Sequence, residues 1–152
     1  MRHDEKAKEL FMNGYNCAQS VLCAFDDVTG LDPTTAAKIS LSFGAGMGRM
    51  REVCGAVSGA LMVLGLVKGY DDPKATSKKN DHYKMIQDFA SRFRAENGSI
   101  ICRELLEGVE VTPGPEAEKR TEQYYKKRPC PELVACAARI LDDFIEPTVK
   151  IR

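Results

Sequence analysis

The feature that most constrains the fold is an uncharged, largely apolar run from Cys54 to Val67. It is shorter than the roughly 18 residues expected of a membrane span, and it ends at Lys68. We therefore expect a buried central helix. Within it, Gly55 and Gly59 lie one helical turn apart, which lets another helix approach closely. This small-residue face could serve a dimer as well as an internal core, and we favour the core.

Helical periodicity dominates the rest of the chain, while alternating strand-like stretches are hard to find. The sequence predicts an all-α fold: one domain, residues 1–152, built as a bundle of about six to eight helices. Gly44 to Gly48 is expected to be a flexible connection or a site of close backbone contact, and Gly108 to Pro115 a mobile loop. Helices are predicted at about 4–12, 17–27, 33–41, 54–67, 75–96 (burying Tyr83, Ile86, Phe89, Ala90 and Phe93), 102–106 and 116–127, and from Cys130 to a stop at Pro147.

The balance of charge argues against two classes of partner. Lysines plus arginines number 22 and aspartates plus glutamates also number 22. No bulk charge attracts nucleic acid or an anionic membrane, so we expect neither nucleic-acid binding nor membrane insertion. The N-terminus has no apolar signal segment, and a chain of this length needs no disulfides to fold. We therefore expect a reducing, cytoplasmic location.

Four of the six cysteines, Cys17, Cys54, Cys102 and Cys130, fall where helices are predicted to begin. The free N–H groups at a helix start stabilise an anionic sulfur, so this placement favours thiolate chemistry. Asn16 and Ser99 are candidate caps ahead of two of these helices. The other two cysteines, six residues further along two of the helices, face away by roughly 240°, and we interpret them as small buried residues. These are Cys23 and Cys136.

Thiolates bind soft metals or iron–sulfur clusters, exchange with disulfides, or attack electrophiles. The chain has neither Cys-x-x-Cys nor the paired spacing of a zinc ribbon. Its two histidines, His3 and His82, are expected on the solvated surface rather than beside a nucleophile. Three arginines near the cysteines in sequence are candidates to tune the charge of a thiolate site. These are Arg49, Arg51 and Arg103.

Four cysteine-bearing blocks carry a family resemblance. They are GYNCAQ from Gly14, CGAVSG from Cys54, CRELL from Cys102 and CPELV from Cys130. In this order they resemble the C_GCAxxG_C_C family of putative redox-active proteins. The resemblance implies a helical domain with a redox function assigned to the four cysteines, and a similar domain in split-Soret cytochromes is associated with an iron–sulfur centre. The chain lacks the Cys-x-x-Cys-His attachment pattern, so we expect no haem c.

The leading hypothesis is a cytoplasmic redox protein in which Cys17, Cys54, Cys102 and Cys130 converge on one site. There they would act as redox residues and as ligands of an iron–sulfur cluster, with the two-iron type favoured, for electron transfer with an unidentified redox partner. The second hypothesis is cofactor-free thiol–disulfide chemistry by two of the four. The third is a structural zinc or other metal-binding interaction module. The sequence leaves the oligomeric state open.

Overall fold

The computed structural model describes residues 1–145, and the all-α prediction is confirmed there. This range contains six helices of at least seven residues, three shorter ones and no strand. The predicted stop at Pro147 lies outside the described residues. In chain order the helices are α1 (His3–Met12), α2 (Cys17–Ala24), α3 (Asp26–Thr29), α4 (Pro33–Leu41), α5 (Gly55–Lys68), α6 (Thr76–Asn97), α7 (Cys102–Leu105), α8 (Glu122–Lys127) and α9 (Cys130–Ile145).

The centre of the bundle is the contact between α2 and α5. A Cβ atom at Gly59 would lie 2.6 Å from the Ala18 carbonyl oxygen, and one at Gly55 would lie 2.9 Å from Cys17 Cβ. Both distances are too short for a real Cβ, so the glycines allow the two backbones to touch. The prediction that this face packs internally is confirmed, and the packing sets the start of α5 beside Cys17.

Helix α9 covers the other side of this centre and packs against α1, α2, α5 and α6. One face of α9 is apolar and buried, including Leu133, Val134 and Leu141. Helix α1 packs along α9. Within residues 1–145, no helix is both long and apolar enough to cross a membrane.

Three local predictions were wrong. The second helix ends at Ala24 instead of continuing to Asp27, because the fully buried Phe25 turns the chain into α3. The polar helix predicted from residue 116 begins at Glu122 instead. The Thr121 side chain caps this start by accepting a hydrogen bond from the Tyr124 N–H. Tyr83 is 57% exposed because it lies six residues from buried Phe89, on another face of α6.

The glycine-containing connection between α4 and α5 is irregular, as expected, and much of it is left-handed. Ala45, Met47, Arg49 and Arg51 all have positive φ angles, which non-glycine residues rarely adopt. A Cβ at Gly46 would lie 2.6 Å from Arg51 Cα and 2.7 Å from Cys102 Cβ. Gly46 therefore packs directly against the backbone at Arg51 and against the Cys102 side chain.

A candidate functional site formed by four cysteines

The structure brings Cys17, Cys54, Cys102 and Cys130 together around one cavity of about 450 Å³, a volume that includes its opening. All four are buried, and each lies close enough to the other three for their charges to interact. The remaining two cysteines are buried elsewhere, as predicted for packing residues. Cys136, for example, accepts a hydrogen bond from the Asn97 side chain at 3.4 Å.

Helix starts place three of the four cysteines, since Cys17, Cys102 and Cys130 are the first residues of α2, α7 and α9. Cys54 immediately precedes α5. The best-defined start is that of α2, where Asn16 and Gln19 form a reciprocal capping box. Asn16 also donates to the Leu41 carbonyl at 3.0 Å, which ties the start of α2 to the end of α4. The predicted cap at Asn16 is confirmed.

Cys54 and Cys102 are held together by a single antiparallel bridge between Val53 and Ile101. The Cys54 N–H donates to the Ile100 carbonyl at 2.8 Å, and the Cys102 N–H donates to the Glu52 carbonyl at 2.6 Å. Because side chains alternate across extended backbone, both cysteines lie on the same face of this bridge. Ser99 does not cap α7 directly; its hydroxyl accepts from the Ile101 N–H one residue earlier.

Cys17 and Cys130 are linked by a hydrogen bond between their side chains. This bond and then burial raise the pKa of Cys17 well above its usual value. The same bond is the main cause that lowers the pKa of Cys130; burial opposes it, and the positive charges of Arg128, Arg120 and Arg51 lower the pKa further. Of the pair, Cys130 is therefore the sulfur that loses its proton more readily, and Cys17 is the one that keeps it.

The other two thiols are held in their neutral form. Burial raises the pKa of Cys54 to about 12, against a smaller opposing effect from the N–H groups of Ala56 and Val57. Burial also raises the pKa of Cys102, although a hydrogen bond with Arg51 opposes it. A helix start alone therefore does not lower the pKa of a cysteine here. The hydrogen bond with Cys17 and three nearby arginines distinguish Cys130, and the placement of the cysteines in the sequence does not reveal them.

Of the three arginines singled out from the sequence, only Arg51 lines the cysteine cavity. Arg49 lines an adjoining cavity, while Arg103 is exposed and pairs with Glu52 at 2.9 Å. Sequence reasoning missed Arg120 and Arg128, which both line the cysteine cavity. Arg128 is two residues from Cys130, and this proximity in the sequence could have identified it as a residue of the site. Arg120 is not close to any of the four cysteines in the sequence.

Arg120 and Arg128 are fixed in place by specific contacts. Arg120 donates to the carbonyls of Phe11 at 2.6 Å and Tyr15 at 2.9 Å, which lie at the end of α1 and just beyond it. Its guanidinium also stacks on the Phe11 ring at 4.2 Å. Arg128 lies over the Tyr124 ring at 4.7 Å and pairs with Glu118. Both cations are therefore held rigidly beside the thiols.

Residues 108–121, which we call the strap, are tied to the site by arginines. The Arg49 guanidinium donates to the carbonyls of Thr112 and Gly114, both at 2.9 Å. The Glu118 carboxylate binds Arg128 and also contacts Arg49 and Arg51, each at 3.4 Å. The strap contains the loop predicted to be mobile, and its mobility stays a prediction.

Neither histidine lines the cysteine cavity. The surface prediction was wrong for His3: its ring stacks on Phe25 at 4.0 Å and bridges Asp27 and Asp142 at 2.9 and 2.8 Å. His82 is half-buried, and its Nδ1 atom has no hydrogen-bond partner among the described residues. Cys130, the one pocket thiol whose pKa is lowered, therefore owes this to Cys17 and to arginines rather than to a histidine base.

The cysteines do not surround a single point. Across residues 1–145, no three His, Cys, Asp or Glu side chains are arranged as one metal ion would require. Two pairs among the four cysteines are linked directly. One is the hydrogen-bonded pair Cys17 and Cys130, and the other is the bridge-linked pair Cys54 and Cys102.

Comparison with known families gives one match. Residues 15–144 match the family model described as "Putative redox-active protein (C_GCAxxG_C_C)". Searches of curated proteins and of solved structures found no significant match. The matched range covers most of the chain and includes all four cysteines of the cavity.

Proposed function

Because the chain belongs to the C_GCAxxG_C_C family of putative redox-active proteins, we propose that its four-cysteine pocket binds an iron–sulfur cluster of the two-iron type and that the protein transfers electrons. The observation that carries the proposal is the convergence of Cys17, Cys54, Cys102 and Cys130 on one buried cavity. Such a cluster, when bound, accepts and releases one electron at a time.

The arrangement of the donors supports a cluster over a single ion. Four cysteine thiolates are the ordinary ligand set of a two-iron cluster, in which each iron takes two of them. The two pairs of cysteines suit this division: Cys17 with Cys130, and Cys54 with Cys102. A structural zinc site would instead require four sulfurs about 2.3 Å from one point. The described residues lack that grouping.

The surroundings suit a buried, negatively charged centre. Arg51, Arg120 and Arg128 provide positive charge on the wall of the cavity. Arg51 hydrogen-bonds Cys102 and thereby orients its sulfur. Three helix starts and the N–H groups that follow Cys54 add favourable dipoles. These groups offset the repulsion among four thiolates, and the apolar side chains of Leu106 and Leu133 limit access of water.

The test is anaerobic purification followed by iron and acid-labile sulfide analysis, visible absorption, and electron paramagnetic resonance after reduction. We expect equal amounts of iron and sulfide, and loss of both when any of the four cysteines is changed to serine. Cys23→Ser and Cys136→Ser are matched controls, since each lies six residues beyond a pocket cysteine in the same helix and should leave the cluster intact. Stoichiometric zinc without iron would contradict the proposal.

A second candidate is cofactor-free thiol–disulfide exchange, which the hydrogen bond between Cys17 and Cys130 favours. In this reaction the Cys130 thiolate attacks a partner's disulfide, forms a mixed disulfide and releases one partner thiolate. Cys17 then loses its proton and attacks the Cys130 sulfur, which releases the second partner thiolate. The chain is oxidised by two electrons to a Cys17–Cys130 disulfide, and the partner disulfide is reduced to a dithiol.

Titration in defined thiol–disulfide buffers distinguishes this candidate from the cluster. Peptide mapping of the metal-free protein should find a reversible disulfide between Cys17 and Cys130, with Cys54 and Cys102 still reduced. Cys23→Ser should leave the midpoint of the Cys17–Cys130 disulfide titration unchanged. Oxidation that scrambles among all four cysteines, or no reversible disulfide, would rule this candidate out.

A further inference from the structure

A second cavity, of about 720 Å³ including its opening to solvent, adjoins the cysteine pocket. The two cavities share six lining residues, so the second forms an antechamber on the solvent side of the thiols. The shared residues are Asn16, Ala45, Arg51, Arg120, Tyr124 and Arg128.

The charge of this antechamber is strongly unbalanced. Four guanidinium groups line it, from Arg49, Arg51, Arg120 and Arg128, and the one carboxylate among its described lining residues is that of Glu118. Tyr124 does not add a negative charge near neutral pH, because burial raises its pKa to about 12. A positive excess remains even when Cys130, behind the wall, is counted as a thiolate.

These cations are not loosely solvated surface groups. The side chains of Arg49, Arg51 and Arg128 are 10%, 15% and 4% exposed. Burying a charge is costly unless it is paired, and a single carboxylate cannot pair with three guanidinium groups equally. Indeed Glu118 contacts Arg128 most closely and reaches the other two only at 3.4 Å. The cavity therefore favours an additional anion.

We propose that this arginine-lined antechamber binds a small oxyanion, such as a sulfate-, phosphate- or carboxylate-bearing substrate, and presents it to the cysteine pocket. Guanidinium groups recognise oxyanions by paired N–H···O bonds, which makes arginine the side chain suited to such a ligand. The anion lies against Arg51 and Arg128, which also line the cysteine pocket. Binding depends on the arginines and not on what the thiols hold.

The proposal is tested by calorimetric titration of inorganic sulfate and inorganic phosphate into the reduced, metal-free protein at constant ionic strength set with sodium chloride. We expect saturable binding that weakens by about tenfold in Arg49→Gln, the loss expected for one charge-assisted contact. Arg92→Gln is the matched control. It removes an arginine that pairs with Asp143 at 2.7 Å and does not line the antechamber, so binding should be unchanged.

The Glu118→Gln variant should change the affinity for the anion in the opposite direction. Removing the resident carboxylate should tighten binding severalfold, whereas a cluster of arginines that serves only to hold the strap would bind no anion in either form. Thermal unfolding and circular dichroism show that each variant is folded. No saturable binding to the wild-type protein, or equal binding by Arg49→Gln and Arg92→Gln, would overturn the proposal. Because the metal-free chain is used, failure of cluster assembly leaves this outcome unaffected.

Discussion

The Cys17 thiol donates a hydrogen bond to the sulfur of Cys130, and the two pKa values move in opposite directions as a result. The pair joins the first residues of α2 and α9, which lie far apart in the chain. Three arginines face Cys130 and select it as the anionic partner. Cys130 therefore loses its proton more readily than Cys17, and its sulfur is the better ligand or nucleophile of the two.

The first prediction concerns the ionisation of Cys130. In the reduced, metal-free protein, the ultraviolet absorbance of thiolate should rise at a pH below the usual range for cysteine, and Cys130→Ser should abolish that transition. Cys17→Ala removes the donor, so the transition should move to higher pH. Cys23→Ala should leave it in place, since that cysteine does not line the pocket. A transition that persists in Cys130→Ser would assign the thiolate to another cysteine.

Two glycines of α5 give a matched pair for stability. Gly59→Ala places a methyl group 2.6 Å from the Ala18 carbonyl oxygen and should destabilise the protein by about 2–4 kcal/mol. Gly65→Ala lies in the same helix, with nothing within 4 Å of the new atom, and should stabilise it by up to about 1 kcal/mol. Urea unfolding measures both. Equal effects would mean that α2 and α5 do not touch at Gly59.

The sequence predicts the elements of this site better than it predicts their electrostatics. The helix start at Cys17 follows from a local cap and that at Cys130 from the flanking Pro129 and Pro131, because those signals act within a few residues. The start at Cys102 has no side-chain cap. The protonation of the thiols depends on Arg120 and Arg128 and on burial, which are set by long-range packing. The Val53–Ile101 bridge is likewise invisible in a helical sequence pattern, yet it positions two cysteines.

The strap is a second region in which long-range contacts override a local sequence pattern. Residues 116–121 have a composition that predicts helix, but Glu118 and Arg120 make contacts with arginines and carbonyls distant in the chain. Those tertiary contacts outweigh local helix propensity, which amounts to only about 0.7 kcal/mol per ordinary residue. The helix therefore begins only after Thr121, where a side-chain cap is available.

The third prediction concerns pH and His3. Burial lowers the pKa of His3, but hydrogen bonds to Asp27 and Asp142 and their charges raise it by more, so the net pKa lies above 6.5. A raised folded-state pKa stabilises the protein below the unfolded value, and the contribution is lost as pH rises through the folded value. His3→Gln should therefore cost more stability at about pH 5.5 than at about pH 8.5 in urea unfolding.

The control for this prediction is Asp27→Asn, which keeps the ring stacked on Phe25 but removes one of its charged partners. In that background the pH dependence of the His3→Gln effect should shrink. An equal loss of stability at both pH values would show that only the stacking of the ring, and not its charge, stabilises the N-terminal helix.

The last prediction concerns the strap. Glu118 is partly desolvated, which raises its pKa, but Arg128, Arg51 and Arg49 lower it by more. A lowered folded-state pKa stabilises the protein above the unfolded value of about 4.5 and is lost as pH falls through the folded value. Glu118→Gln should therefore speed amide hydrogen exchange in residues 108–121 at neutral pH, while α2 and α5 stay protected.

Glu116→Gln changes an exposed carboxylate of the same segment and should have no effect. Equal acceleration by both substitutions would mean that the arginines do not hold the strap through Glu118.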